Sequence, residues 1–290
     1  MTRVAYLGPE GTNSHEALLT AGAGEQIELV SLPTVYDCVM AVGEGEVERA
    51  FVPIENALEG PVNATLDALA VETEDVAIVG EHVHPIHTCL IARAQLELSA
   101  VETIVSHPQP LGQCAHFLRT RLPQARVLAA SSTAEAVRTV AEQGGQRAAL
   151  GSRTAAELYG CVVLCADVDD AAGNETRFVW LERRAGAGAA ATGGAMSAGR
   201  APTGPCKTAI VFWGVGAEAP GWLVRCLSEF AFRGVNLTRI ESRPRKQGLG
   251  RYMFFLDLEG SASEGPVAEA LEALRGHVEH LRVLGSFPAA

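Results

Sequence analysis

Residues 173–182 read GNETRFVWLE. A polar turn, Gly173-Asn174-Glu175, delivers a Thr-Arg pair into the apolar run Phe178-Val179-Trp180-Leu181, which has the composition of a buried strand. A strand start is a rigid place to hold a hydroxyl and a guanidinium side by side. Taken alone, Thr176 is a β-branched strand former and Arg177 a solvated edge charge. The surrounding sequence decides whether the pair does more.

Upstream, strand-like runs alternate with helical patterns: VAYLG, SHEALLTA, IELVSL, TVYDCVMAV, RAFVPIE, VNATLDALA and VAIVGEHV. This alternation predicts an α/β lobe with a largely parallel sheet. From about residue 85 the pattern restarts, with a helix over PLGQCAHFLRTRL and another over STAEAVRTVAEQ, where Ser132 and Glu135 stand at capping-box spacing; it predicts a second lobe over 85–168. The run TRFVWLE is placed to cross back and complete the first sheet, setting Thr176 and Arg177 at the lobe junction. Residues 1–182 thus read as one two-lobed region with a cleft.

Residues 183–206, RRAGAGAAATGGAMSAGRAPTGPC, hold little that can be buried and read as a flexible linker. Beyond it, 207–290 give strand TAIVFWGV, helix GWLVRCLSEFAFRG, strand VNLTRIESRP, strand GRYMFFLDLEG, helix PVAEALEALRG and strand VEHLRVLGSF. That order, βαββαβ, is ferredoxin-like.

The chain has 290 residues, 48% hydrophobic and 20% charged, with a formal net charge of −11. Such a balance fits a globular protein and argues against nucleic acid as a partner. No apolar run approaches the roughly 20 residues that cross a bilayer, and the start MTRVAYLGPEG lacks a signal peptide's apolar segment, so no membrane is expected and the location expected is the cytoplasm. Seven scattered cysteines show no disulfide framework. In EHVHPIHTCL, strand alternation sets His82 and His84 on one face, but Pro85 interrupts the run and no metal site is expected.

Three loops follow predicted strands, where ligands of open α/β sheets bind. GPEGTNSHEA opens a helix with Thr12, Asn13 and Ser14 beside free N–H donors, a place that suits an anion or is simply a capped turn. VPIENALEG presents Glu55 and Asn56 at a strand end; Glu55 reads as a general acid, an orienting carboxylate or a helix cap. VSHPQPLGQC presents His107, a substrate contact or a structural imidazole.

Together, GPEGTNSHEA, PIENALEG, SHPQPLGQC and NETRF resemble the four blocks of the prephenate dehydratase family, and NLTRIESRP resembles the phenylalanine-binding motif of its ACT regulatory domain. The resemblance covers nearly everything but the linker. It implies two α/β lobes like those of periplasmic binding proteins, followed by the ferredoxin-like ACT domain, in a homodimer or homotetramer. Two positions depart from the family pattern: Ala57 stands where a hydroxyl residue usually follows PIEN, and Trp222 where the effector motif has alanine, a change expected to reshape the effector pocket.

The implied reaction converts prephenate to phenylpyruvate with loss of carbon dioxide and water, using neither metal nor organic cofactor. Arg177 suits the substrate carboxylate because a guanidinium binds one bidentately. Thr176 is, by the resemblance, nearest the leaving hydroxyl and reads as a hydrogen-bond donor. Glu55 and Asn56 complete the expected catalytic set, with Thr12, Ser14, Phe178 and His107 as substrate contacts. The resemblance places phenylalanine, as effector, at Gly221, Leu223, Val224, Asn236, Leu237, Glu241, Ser242 and Arg243. Arogenate dehydratase and a non-aromatising prephenate decarboxylase share these motifs, and a non-catalytic amino-acid sensor would share the architecture.

Overall fold

The computed structural model describes residues 1–184, 204–214, 216 and 219–290; most of the linker expected at 183–206 lies outside the described residues. The first lobe runs β1 (Thr2–Leu7), α1 (Asn13–Ala21), β2 (Ile27–Leu32), α2 (Val35–Gly43), β3 (Arg49–Asn56), β4 (Gly60–Pro61), α3 (Asn63–Asp67) with a π-helical continuation, and β5 (Val76–Pro85). Thr12 and Thr34 start α1 and α2 by accepting from the amides of His15 and Asp37, which satisfies donors that a helix start leaves open.

The second lobe comprises β6 (Cys89–Ala92), β7 (Thr103–Ser106), α4 (Pro108–Gln113), α5 (Ala115–Arg121), β8 (Arg126–Ala129), α6 (Thr133–Gln143), β9 (Arg147–Gly151), α7 (Arg153–Leu158) and β10 (Val162–Cys165). The single helix expected over PLGQCAHFLRTRL is two. Cys114 leaves helical geometry at φ −111° and ψ 17°, and the Asp170 carboxylate takes the amides of His116 and Phe117, restarting the helix.

β11 (Glu175–Arg183) then returns to the first lobe, where the sheet order is β2-β1-β3-β11-β5 with β4 on the edge of β3. It lies between β3 and β5, antiparallel to both. The sheet is therefore mixed rather than largely parallel, because β11 arrives from the other lobe and enters against the direction of β3. The second sheet, β10-β6-β9-β7-β8, is mixed too.

The last unit is β12 (Cys206–Trp213), α8 (Trp222–Ala231), β13 (Leu237–Pro244), β14 (Tyr252–Glu259), α9 (Gly265–Arg275) and β15 (His280–Pro288), with strand order β13-β14-β12-β15. This is the ferredoxin-like arrangement. Strand alternation divides its side chains. Ile210, Phe212 and Leu256 pack under α8 and α9 with Trp222, Phe230 and Leu274. Ala209, Val211, Phe255, Leu284 and Phe287 face the other way and form one buried cluster with Ile78, Val179 and Leu181 of the first lobe.

Inside this shared layer lies a cluster of charges. Arg177 Nε donates to Glu81 Oε2 at 2.6 Å, and Lys207 Nζ to Glu81 Oε1 at 2.8 Å. Asp257 Oδ2 accepts from Arg239 Nε at 3.0 Å and also from Arg177 Nη1. Glu81 and Asp257 have almost no exposed side chain, so these ions exist in the interior only because each is paired. Burial would raise the Asp257 carboxyl, but Arg239 and Arg177 outweigh it and hold it below its ordinary 3.8. Burial would likewise raise Glu81, which Arg177 and Lys207 hold below 4.5.

Two outcomes follow for stability. Phe255→Ala empties part of the shared layer and is expected to cost about 3–5 kcal/mol, read from the urea midpoint. Carboxylates whose pKa falls on folding stabilise the protein above their unfolded pKa and lose that contribution as pH drops through the folded value. The midpoint is therefore expected to lose the cluster's contribution below about pH 5, and to fall less steeply there in Asp257→Asn, which lacks one of the two carboxyls.

Candidate active site

The start of β11 is fixed by its neighbours. Gly173, at φ 77°, turns the chain in a region open to glycine, and Asn174 is buried directly before the strand. Asn56, at the end of β3, donates through Nδ2 to Asn174 Oδ1 at 2.8 Å, to the Glu175 carbonyl at 3.1 Å and to Thr176 Oγ1 at 2.9 Å. Its Oδ1 accepts from the amides of Leu58 and Glu59 at 3.0 and 2.9 Å. These partners fix the orientation of the Asn56 amide, and Thr176 Oγ1 is held as an acceptor. Its proton remains available to another group.

Thr176 and Arg177 do not stand side by side. Alternation along the strand places Thr176 and Phe178 on the α1 face and Arg177 and Val179 on the face covered by the ferredoxin-like unit. Of the expected catalytic residues, Thr176 and Asn56 meet by a hydrogen bond, while Glu55 lies with Arg177, its Oε2 3.8 Å from Nη1. Arg177 is engaged by Glu81 and Asp257. Phe178 is 1% exposed and stacked on Phe51 at 4.9 Å, so it anchors the strand in the core and presents no open face to a ligand.

Thr12 is committed to its cap, donating to the Pro9 carbonyl at 2.9 Å and accepting from the His15 amide. Ser14 is buried in the first turn of α1. The loop before α1 touches the second lobe: Ser152 Oγ donates to the Gly11 carbonyl at 3.0 Å. Gly11 is at φ +85°, and a Cβ there would sit 3.3 Å from that of Ala155. Glycine is thus required both by the turn and by the close approach of the lobes. Gln113 Nε2 of the second lobe reaches Glu59 Oε1 at 3.1 Å, so the Asn56 loop is also at the junction. His107 stands at the start of α4, where its Nδ1 accepts from the Gln109 amide.

Three residues near the site, Asn174, Glu81 and Asp257, were not singled out for a role from sequence. Asn174 reads there only as part of a turn. Glu81 and Asp257 carry no local sequence signal, and only the tertiary packing pairs them with Arg177. His84 pairs across the strands with Thr176, is buried, and has no partner for Nδ1 among the described residues. Burial, and then His82, depress its pKa below 6.5, so it is neutral at neutral pH. The rings of His82 and His84 are 5.9 Å apart, as alternation requires, whereas His87 pairs with Asp167 at 2.8 Å. Ala57 is exposed and contributes its amide to the Glu175 carbonyl at 2.8 Å, holding β11 without a side chain.

In the ferredoxin-like unit, an open pocket of about 420 Å³ is lined by Leu227, Ala231, Gly234, Val235, Asn236 and Leu237. It includes two expected effector positions, Asn236 and Leu237. Gly221, at φ 77°, starts α8, followed by Leu223 and the exposed Val224. Trp222 is buried against Phe212 and Phe254 with Nε1 bonded to the His277 carbonyl at 2.8 Å, so its indole belongs to the unit's own core. Glu241 and Ser242 lie on β13 opposite Phe255 and Phe254. Arg243 makes a bidentate pair with Asp67 of the first lobe at 3.1 and 2.8 Å.

The sequence matches the family model described as prephenate dehydratase over residues 4–186. A prephenate dehydratase of Amycolatopsis methanolica is 40% identical over 292 residues, spanning 100% of this chain and 90% of the relative. Among solved structures, a prephenate dehydratase from Arthrobacter aurescens in complex with L-Phe is 35% identical, with a TM-score of 0.86 over 99% of this chain and 90% of that one. A quorum quenching acylase of a novel type is 29% identical, with a TM-score of 0.83 over 99% and 98%. The chain belongs to the prephenate dehydratase family.

Proposed function

We propose that the chain converts prephenate to phenylpyruvate and that the reaction takes place at the start of β11. The observation that carries this reading is the hydrogen bond from Asn56 Nδ2 to Thr176 Oγ1. In the reaction the bond from the ring to its carboxylate breaks, carbon dioxide leaves, and the electron pair enters the ring. The ring hydroxyl departs, takes one proton and becomes water; the gain of aromaticity drives both losses.

The protein's part is to hold the substrate and to stabilise the departing oxygen. Thr176 does the second, because its lone pair is occupied by Asn56 and its O–H is left to donate. Asn174 and the loop amides at 58 and 59 hold Asn56, so the donor is in place before the substrate arrives. His84, neutral and across the strand, is the nearest titratable group on that face of β5. With Arg177 engaged elsewhere, carboxylate recognition falls to the start of α1, where the amides of Asn13 and Ser14 have no protein partner among the described residues.

In this reading residues 1–182 are the catalytic region and 207–290 the regulatory ACT domain, with phenylalanine as effector and Asn236 and Leu237 at its pocket. The assembly is a cytoplasmic homodimer or homotetramer. Among the described residues no helix is long and apolar enough to cross a membrane.

Purified protein is expected to form phenylpyruvate from prephenate, with a rate that changes when phenylalanine is added. Thr176→Ala is expected to lower kcat by about 10²-fold or more, and Thr176→Ser to retain most of it, since the hydroxyl persists. Wild-type turnover in Thr176→Ala removes the role given to the hydroxyl. Failure of prephenate with turnover of arogenate reassigns the substrate.

A further inference from the structure

We propose that Asp257, in the ferredoxin-like unit, is a positioning residue for the reaction: through Arg177 it fixes Thr176, and through Arg239 it ties that position to β13. The proposal rests on the assignment of Thr176 above, and concerns what holds it.

The backbone at this point is not a regular ladder. Arg177 pairs with Glu55, but Phe178 pairs with Pro53, so Ile54 is an extra residue on β3 directly beside the Thr-Arg-Phe run. Pro53 has no amide to donate, and such bulges re-aim the side chains next to them. The geometry of Thr176 therefore needs a second constraint. One is Asn56, on the face of the sheet that carries Thr176. The other is the guanidinium of the next residue, on the opposite face, where Glu81 takes Nε and Asp257 takes Nη1. Glu81 belongs to the adjacent strand of the same lobe, whereas Asp257 belongs to another unit and is 1% exposed.

Asp257 uses one oxygen, Oδ2, for both Arg177 and Arg239. Arg239 lies on β13 two residues before Glu241, and the pairing of β13 with β14 shifts register between Leu237 and Arg239. Leu237 lines the open pocket. A ligand that moves the start of β13 moves Arg239, and with it the carboxylate on which Arg177 depends. The route runs from the pocket along β13 from Leu237 to Arg239, and then through two side-chain contacts, Arg239 to Asp257 and Asp257 to Arg177.

The test is Asp257→Asn, which keeps the shape and removes the charge. In the absence of phenylalanine, kcat is expected to fall about 10-fold, with KM changed less than about twofold, because the substrate's binding groups are on the other face. In the same variant, hydrogen exchange is expected to quicken at amides 174–179 more than in the rest of the first lobe. Wild-type kcat, or exchange that quickens uniformly, overturns the proposal. If the variant does not fold, exchange in the wild-type protein decides: a change at amides 174–179 on adding phenylalanine supports the route, and no change there overturns it. Loss of the parent reading looks different, since then the wild-type protein itself forms no phenylpyruvate, while the exchange at 174–179 in Asp257→Asn still reports on the tether.

Discussion

The insertion of β11 between β3 and β5 is the constraint on which the rest depends. This strand is the last element of the two-lobed region, yet it occupies the middle of the first sheet, so the sheet is complete only with the chain that has passed through the second lobe and returned. Its antiparallel entry brings Asn174 and Thr176 to the end of β3 where Asn56 stands, beside the loops that touch the second lobe. Two faces of one strand then serve two purposes. The face with Thr176, Phe178 and Trp180 packs toward α1, and the face with Arg177, Val179 and Leu181 carries the ferredoxin-like unit.

A layer of apolar side chains would have sufficed to join the two units, and buried ions are an expensive addition to it. What the ions add is register. Side chains of a strand alternate, so a slip of one residue would turn Thr176 into the shared layer and Val179 toward α1. Val179 and Leu181 resist that slip through area alone, which is tolerant of small displacements. Arg177 resists it through fixed hydrogen-bond geometry with Glu81 and Asp257, which is not. The cost of desolvating these charges is offset by pairing each of them, and the net result is a strand whose position is specified from both sides.

Element order and the two kinds of unit were legible in the sequence because they rest on local rules. Alternating apolar runs, capping residues such as Thr12, Thr34 and Ser132, and the βαββαβ order need only a few neighbouring residues to be read. Asn56 and Thr176 were legible as members of recognisable motifs, but their hydrogen bond was not, since it joins residues 120 positions apart. Arg177 was legible as a functional cation, but its pairing with Glu81 and Asp257 was not: period-two alternation is written in NETRF, yet what each face meets depends on what covers each side of the sheet. The break at Cys114 was hidden because its cause, Asp170, lies 53 and 54 residues from the amides it takes.

That division bears on how a weak acid can assist the loss of water. A threonine hydroxyl contributes little in free solution, where it turns at random and is solvated on all sides. Here Asn56 occupies its oxygen, Asn174 and two backbone amides hold Asn56, and the neighbouring guanidinium is held by two carboxylates on the opposite face. The hydroxyl's remaining freedom is the direction of one proton. A donor prepared in this way pays little reorganisation when the leaving oxygen gathers charge, which is the condition under which a hydrogen bond stabilises the transition state more than the ground state. The geometry of the Thr176 hydroxyl is thus a property of the supports around it, and those supports come from β3, from β11 and from the third unit together.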